Sequence, residues 1–380
     1  MTPSGALSEI KSKMESRKAS GIIIKNPSNI YYLTGYTGEG FAFVPSYEGQ
    51  IVLFVDGRYI ERARKEAREG VDIVGVKETY KEIASDILKR LSHEGSPPSP
   101  NPGRGRKAVI FESNFFSYEE YRGFKNYFNN MVKFIPSDGL LSKIRVIKNK
   151  DELSYIKKAV SIAEESLIAS LKEFLDNAVS GKGRAEKDVV SIYRKLLIDK
   201  GSSESFDTIV LSGPNSSMPH GTPSSSEIDP DEILLCDFGA QWNHYKSDET
   251  ITLHLGNPDK KFLDVYGTVY SAQQLAISNA KPGVKFKDLD RMTRDYMKTK
   301  GYEKYFTHSL GHGVGLDIHE YPFVYAKNEE ILEEGMVFTI EPGIYIEGEF
   351  GVRLEDMVYV NASGAEVITT IDKKSHKTPF

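Results

Sequence analysis

Apolar side chains at Leu153, Ile156, Val160, Ala163, Leu167, Leu171 and Leu175 recur at steps of three and four. That spacing draws one apolar stripe down about seven turns of helix. Asn149 can cap its start, and Glu152 stands three residues on, where a capping-box acid belongs. A second helix is predicted over roughly 186–200, ending at Gly201. Two more fit 260–280 and 286–300, the latter stopped by Gly301. Apolar runs predict strands at 207–212, 232–239, 246–255, 336–346 and 352–360. This half of the chain therefore reads as α+β with antiparallel hairpins.

The first part alternates differently. β-rich runs at 21–25, 41–44 and 51–55 are punctuated by turns, and 61–70 and 80–91 look helical, which predicts an α/β domain. Residues 94–107, EGSPPSPNPGRGRK, cannot pack as helix or strand and read as a surface loop, with strand-like sequence following at Ala108. Its basic end, Arg104, Arg106 and Lys107, is too short to argue for nucleic acid. No repeat of 20–50 residues is visible. The expected division is 1–143 and 144–380.

Composition narrows the classes. A chain of 380 residues with 39% hydrophobic positions, 19 Phe and 21 Tyr can build two cores, which excludes general disorder. Lys and Arg total 49 against 54 Asp and Glu, a net charge of −5 that argues against nucleic acid or an anionic membrane as partner. No apolar run is long enough to span a bilayer, and the polar start MTPSGALSEIKSKMESRK lacks a secretory core. The single cysteine, Cys236, forbids an internal disulfide and fits a reducing compartment, so the expected location is cytoplasmic.

Candidate chemistry sits on the predicted hairpins. Asp237 ends an apolar strand, and Asp248 lies in the next one; a turn at Trp242–Asn243 would set them directly opposite. Glu341 and Glu355 are centred on Gly348, so a hairpin turning there sets them face to face. One such pair alone reads as a solvated surface feature. Two pairs flanked by apolar strand residues converge on an interior, and four carboxylates there require metal. A fifth candidate ligand lies in HSLGHGVGLDIHE, where Gly311, Gly313 and Gly315 would let the backbone approach a ligand. A phosphate loop is excluded because the Lys-Ser/Thr ending is missing, and Pro322 breaks the helix that an HExxH zinc site needs. Three histidines within twelve residues, His308, His312 and His319, are hard to assign to packing. A set of four acids and one histidine favours manganese, cobalt or iron, with zinc possible.

In order and local motif, Asp237, Asp248, His312, Glu341 and Glu355 resemble the five metal ligands of the creatinase/prolidase/methionine-aminopeptidase metallopeptidases, which have the pita-bread fold. The motifs are DFGA, SDET, GHGVGLDIHEYP, TIEPGIY and RLED; upstream, NPSNIYYLTGY and DGRY resemble the N-terminal domain of prolidases, X-Pro aminopeptidases and creatinases. The likeness implies two divalent ions, with Asp248 and Glu355 bridging, Asp237 on the second, and His312 with Glu341 on the first. It also implies that Glu341 shuttles a proton to the leaving nitrogen and that His220 and His319 steady the tetrahedral intermediate. His308 corresponds to a further pocket histidine.

Creatinase works without this metal set, and methionine aminopeptidases usually lack such an N-terminal domain. That leaves Xaa-Pro dipeptidase (prolidase), ranked first, or X-Pro aminopeptidase acting on longer peptides; a non-catalytic peptide-binding relative would have lost the ligands. Two departures bear on the choice. Ile251 stands where many members have arginine, and Phe323 where several dipeptidases carry an arginine able to bind a terminal carboxylate. Arg353 shares the strand face of Glu355 and could bind substrate or neutralise the acids. Phe323 and Tyr321 are candidate partners for a proline ring. The resemblance also implies a homodimer acting on proline-containing di- or short peptides.

Overall fold

A computed structural model describes residues 3–77, 79–92, 107–179 and 183–378. The chain divides into two compact units, Met1–Ile144 and Arg145–Phe380. The basic loop expected at 94–107 lies outside the described residues, except for Lys107.

The first unit is built on a six-stranded sheet. Its order is Val71–Val76, Ile51–Asp56, Phe41–Pro45, Gly21–Ile24, Lys107–Glu112, Val132–Ser137. The two pairings inside Gly21–Asp56 are antiparallel, while the outer pairings and that of Gly21–Ile24 with Lys107–Glu112 are parallel. Helices Thr79–Ser92 and Tyr118–Phe128 bury an aromatic core with Phe41, Phe124 and Phe128. Sequence reading missed five of its elements: Pro27–Thr34, Val71–Val76, Tyr118–Phe128, Val132–Ser137 and Leu140–Ile144. The helix Pro27–Thr34 is short and opens on proline, and the half-buried strand Val71–Val76 has weak alternation.

The second unit contains two cores. Helices Lys150–Val179 and Glu186–Asp199 pack with strands Ile209–Ser212, Ile233–Phe238 and Glu249–His254. Helices Lys260–Asn279 and Phe286–Thr299 pack with the strands between Gly311 and Asn361. The long helix starts as its sequence requires: Asn149 Oδ1 accepts from Glu152 N at 3.0 Å, and Glu152 Oε2 accepts from Asn149 N at 2.7 Å. Gly201 and Gly301 take positive φ, +69° and +80°, just past their helices. No described helix is long and apolar enough to cross a membrane.

Register decides which acids meet. Asp237 is paired with Thr250, not with Asp248. The turn is Asn243–His244, with φ of +47° and +69°, and Trp242 pairs with Tyr245. Two consecutive left-handed residues suit the tight hairpin turn that matches strand twist. Centring the hairpin there moves the register by two residues. A two-residue shift preserves the face, so Asp237 and Asp248 remain neighbours, diagonally. At the other hairpin the expected register holds. Ile340 pairs with Asp356 and Gly343 with Arg353, which leaves Glu341 facing Glu355 at a break in the ladder where Pro342 cannot donate.

Candidate metal centre

These strands deliver Asp237, Asp248, Glu341 and Glu355, with His220, His308, His312, His319 and Arg353, to one cavity of about 370 Å³. His312 reaches it from the short strand Gly311–Gly313. Oxygen or nitrogen atoms of Asp248, His312 and Glu355 lie within 4.8 Å of one another. His312 Nε2 is 3.5 Å from both Asp248 Oδ2 and Glu341 Oε1. The other two acids are each tied on one oxygen. Asp237 Oδ2 accepts from Arg353 Nη2 at 2.6 Å, and Glu341 Oε1 from Thr339 Oγ1 at 3.3 Å.

Does this set fit divalent cations? His312 Nδ1 is 3.1 Å from the Gly313 carbonyl, which can only accept, so the ring proton sits on Nδ1 and Nε2 is bare. Burial holds the imidazole neutral, with its pKa lowered to about 4. A bare nitrogen thus faces two carboxylates, a repulsive arrangement unless a cation lies between them. Asp237 Oδ1 is buried without a hydrogen-bond partner among the described residues. Burial first, then mutual repulsion, raises the pKa of Asp248 and Glu341 well above the carboxylate range and that of Glu355 to about 8. One orphaned oxygen, crowded acids and a correctly tautomerised imidazole make the donor set a hard or borderline divalent ion requires.

The other histidines have different surroundings. His308 Nε2 is 2.9 Å from Tyr345 Oη and its Nδ1 2.8 Å from Ser309 O; burial lowers its pKa to about 3. The His319 ring packs edge-on to His312 at 4.3 Å, with its pKa lowered, chiefly by burial. His220 lines the opening and is exposed.

Arg353 is 4% exposed and heavily engaged. Besides Asp237, it donates from Nε to Thr250 Oγ1 at 3.1 Å and from Nη1 to Tyr345 Oη and Pro219 O at 2.8 and 3.2 Å. Thr250 in turn donates to Glu355 Oε2 at 2.7 Å.

Several features escaped sequence reasoning. Thr250 and Tyr345 organise the acids, and Phe206, Ile209 and Ile318 join Phe323 in the apolar wall. Strand alternation from Asp248 points to Thr250, but nothing signalled Phe206. Tyr321 packs beside Phe323, with centroids 5.2 Å apart, and against the core.

The glycine reading needs correction. A Cβ on Gly311 would meet Thr339 O at 1.9 Å, on Gly313 Tyr321 O at 2.2 Å, and on Gly315 Glu320 Oε1 at 2.4 Å. These glycines admit neighbouring protein, not a ligand. The strand Glu320–Val324 also replaces any HExxH helix.

Glu320 sits beneath His319 in a buried ionic knot. It binds Lys148 Nζ at 2.6 Å and Arg145 Nη2, which also holds Asp317 at 2.8 Å.

Comparison with known proteins agrees with this geometry. Residues 154–362 match the model of metallopeptidase family M24, and residues 7–147 that of the creatinase/prolidase N-terminal domain. The chain is 34% identical over 362 residues to a Xaa-Pro dipeptidase of Pyrococcus furiosus, covering 95% of this chain and 96% of that protein. Among solved structures, a Xaa-Pro dipeptidase from Bacillus anthracis superposes with a TM-score of 0.85 at 33% identity, over 98% of this chain and 99% of the other. An X-Pro aminopeptidase from Thermotoga maritima superposes with a TM-score of 0.82 at 29% identity, over 97% and 98%. With both domain models matched and its acids gathered around His312, this chain belongs to metallopeptidase family M24, as a metal-dependent peptidase of pita-bread fold.

Proposed function

We propose that the protein hydrolyses the bond before proline in Xaa-Pro dipeptides. The observation that carries this reading is the cavity itself, where the bare His312 Nε2 faces carboxylates beside an apolar wall that includes Phe323. Relatives that share nearly the whole chain and are Xaa-Pro dipeptidases supply the substrate class.

Asp237, Asp248, His312, Glu341 and Glu355 would hold two divalent ions, manganese or cobalt before zinc or iron, with Asp248 and Glu355 shared. Such ions lower the pKa of a water and polarise the scissile carbonyl. Glu341 Oε2, the oxygen not bonded to Thr339, is the atom assigned to carry a proton towards the leaving nitrogen. His220 and His319 face the substrate side, and His308 stays neutral while hydrogen bonded to Tyr345. Arg353 chiefly neutralises Asp237; one of its five N–H groups remains for substrate. A proline nitrogen carries no hydrogen after acylation, so the pocket must read ring shape, and Phe323, with Phe206 in the same lining, offers a flat surface for it. In this reading residues 144–380 hold the whole site and 1–143 form the N-terminal domain; a unit boundary at Ile144 supports that division. A cytoplasmic homodimer completes the reading, and a buried free Cys236 is compatible with a reducing compartment.

A second reading, X-Pro aminopeptidase, has one specific observation in its favour. A groove of about 510 Å³ shares Ile209 and His220 with the cavity and carries Lys187, whose Nζ bonds the Ser225 hydroxyl, which gives a longer peptide room and a cationic partner for its carboxylate. Hydrolysis of Ala-Pro, Ala-Pro-Ala and Ala-Ala after loading with manganese, cobalt or zinc separates the readings. We expect Ala-Pro to be cut, with the tripeptide tolerated. Cleavage of the tripeptide alone would make the protein an aminopeptidase, and Ala-Ala cut as fast as Ala-Pro would defeat the proline argument.

A further inference from the structure

Behind the acids, the chain's last described stretch crosses the strands that carry two of them. Glu164, on the long helix, accepts from Thr370 N, from Thr370 Oγ1 at 2.5 Å and from Ile371 N at 3.2 Å. Tyr266 Oη donates to Lys373 O and Ser375 O, both at 3.0 Å, and His254 N donates to His376 O at 2.8 Å. Fastened at both ends, this stretch buries Ile371 in the core and inserts one charged side chain between the acid-bearing segments.

That side chain is Lys373, 4% exposed. Its Nζ lies 2.5 Å from Glu249 Oε1, 2.7 Å from Asp356 Oδ1 and 3.4 Å from Ile371 O, an acceptor for each ammonium hydrogen. Glu249 follows Asp248 and Asp356 follows Glu355, so strand alternation puts these acids on the face opposite the cavity. Thr369 Oγ1 gives Asp356 Oδ1 a second partner at 2.6 Å. The two acid-bearing segments share little backbone pairing: one isolated bridge joins Thr250 and Glu355, with Glu355 N to Thr250 O at 3.0 Å. Thr252 adds side-chain contacts to the Arg353 backbone at 2.9 and 3.1 Å.

We propose that Lys373 is a positioning residue for the metal centre: by clamping Glu249 to Asp356 it fixes the separation of Asp248 and Glu355 on the other face, and thereby the affinity for the ions. The clamp rests on the reading of Asp248 and Glu355 as metal ligands. Neighbours that orient ligands commonly change metal affinity by about 10–100-fold when removed.

Lys373→Met removes the clamp and leaves two buried carboxylates unpaired, which can prevent folding. The double variant Glu249→Gln/Lys373→Met removes it while keeping the net charge of the trio, so a change there cannot be assigned to lost charge. Cobalt(II) is titrated into each metal-free protein against a chromogenic chelator, and the visible absorption of the bound cobalt is recorded. Folded Glu249→Gln/Lys373→Met should bind at least about tenfold more weakly than the parent, with an altered cobalt spectrum. Parental affinity and spectrum in that folded variant would overturn the clamp, as would a loss in Lys373→Met that the double variant restores. Asp248→Asn serves as control. Should it leave cobalt binding unchanged, the ligand reading itself fails; should it weaken binding while both Lys373 variants do not, only the clamp fails.

Discussion

Removing the metal should make stability fall with rising pH, in a window set by opposing groups. In the metal-free protein burial and repulsion raise Glu355 from 4.5 to about 8, and push Asp248 and Glu341 in the same direction. Between those values the folded state keeps a proton that the unfolded chain has released. Stability is then fully present below the unfolded pKa and is lost as pH rises, by about 1.4 kcal/mol per pH unit for each such proton. The histidines act oppositely. His308 and His312, lowered to about 3 and about 4, refuse protons that the unfolded chain takes up below about 6.5, so their contribution is lost as pH falls. Below pH 6.5 the two histidines therefore oppose the three raised acids, and the slopes mix. Above it they are neutral in both states and only the acids remain.

From pH 6.5 to 8, Glu355 alone should remove about 2 kcal/mol from the chelated protein, or roughly 4–8 °C of melting temperature for a unit of this size. Saturating metal displaces those protons, so the loaded protein should lack that slope. Glu249 is also raised by burial but lies outside the ligand set, and its effect cancels in the difference between the two forms. The assay is paired calorimetry of loaded and chelated protein at several pH values from 6.5 to 8. A gap that stays constant or narrows as pH rises would refute the crowded-carboxylate account.

Three further outcomes follow from particular contacts. His312→Ala should lower bound metal, whereas His319→Ala should lower kcat with metal content unchanged; elemental analysis decides, and metal loss from the His319 variant would contradict its place on the substrate side. Asp248→Asn should weaken metal binding more than Asp237→Asn, because Asp237 already has Arg353 as counter-charge; equal losses in a chelator competition would count against a shared Asp248. Glu320→Ala should lose about 3–5 kcal/mol in urea unfolding, since it strands buried Lys148 and half-strands Arg145, and a loss under about 1 kcal/mol would show the knot to be dispensable.

The acids were legible because each stands at the edge of a strand-like run: Asp237 and Glu341 end one, Asp248 precedes one, and Glu355 lies between Phe350–Arg353 and Asp356–Asn361. Hairpin arithmetic then worked where one glycine marked the turn, at Gly348. It failed by two residues at the other hairpin because Asn243 and His244 both turn left-handed, and His244 is no standard turn signal. Of what supports the acids, Arg353 was legible from its strand face, but the distant partners were not. Lys373 meets Glu249 across 124 residues of sequence, and Lys148 meets Glu320 across 172. No periodicity couples positions so far apart. The glycines show the complementary error: a Gly-rich segment beside a site invites a ligand, but the space was taken by Thr339, Tyr321 and Glu320.

Charge arithmetic supports the proposed pair of ions over a single one. Four carboxylates enter the cavity and one guanidinium, that of Arg353, answers them, with His308 and His312 held neutral. Fully ionised, the set carries −3. One divalent ion leaves it at −1, still repelling the carboxylate of a dipeptide; two bring it to +1, which attracts that carboxylate without any arginine at Phe323. Arg353 is therefore best understood as part of this balance. By holding Asp237 Oδ2 at 2.6 Å it keeps one acid from closing on the others, and by bonding Thr250 and Tyr345 it links that acid to Glu355 and to His308. In the proposed reading, substrate is read chiefly by His220, His319 and the Phe323 face, all cavity-lining residues outside the proposed metal-holding set.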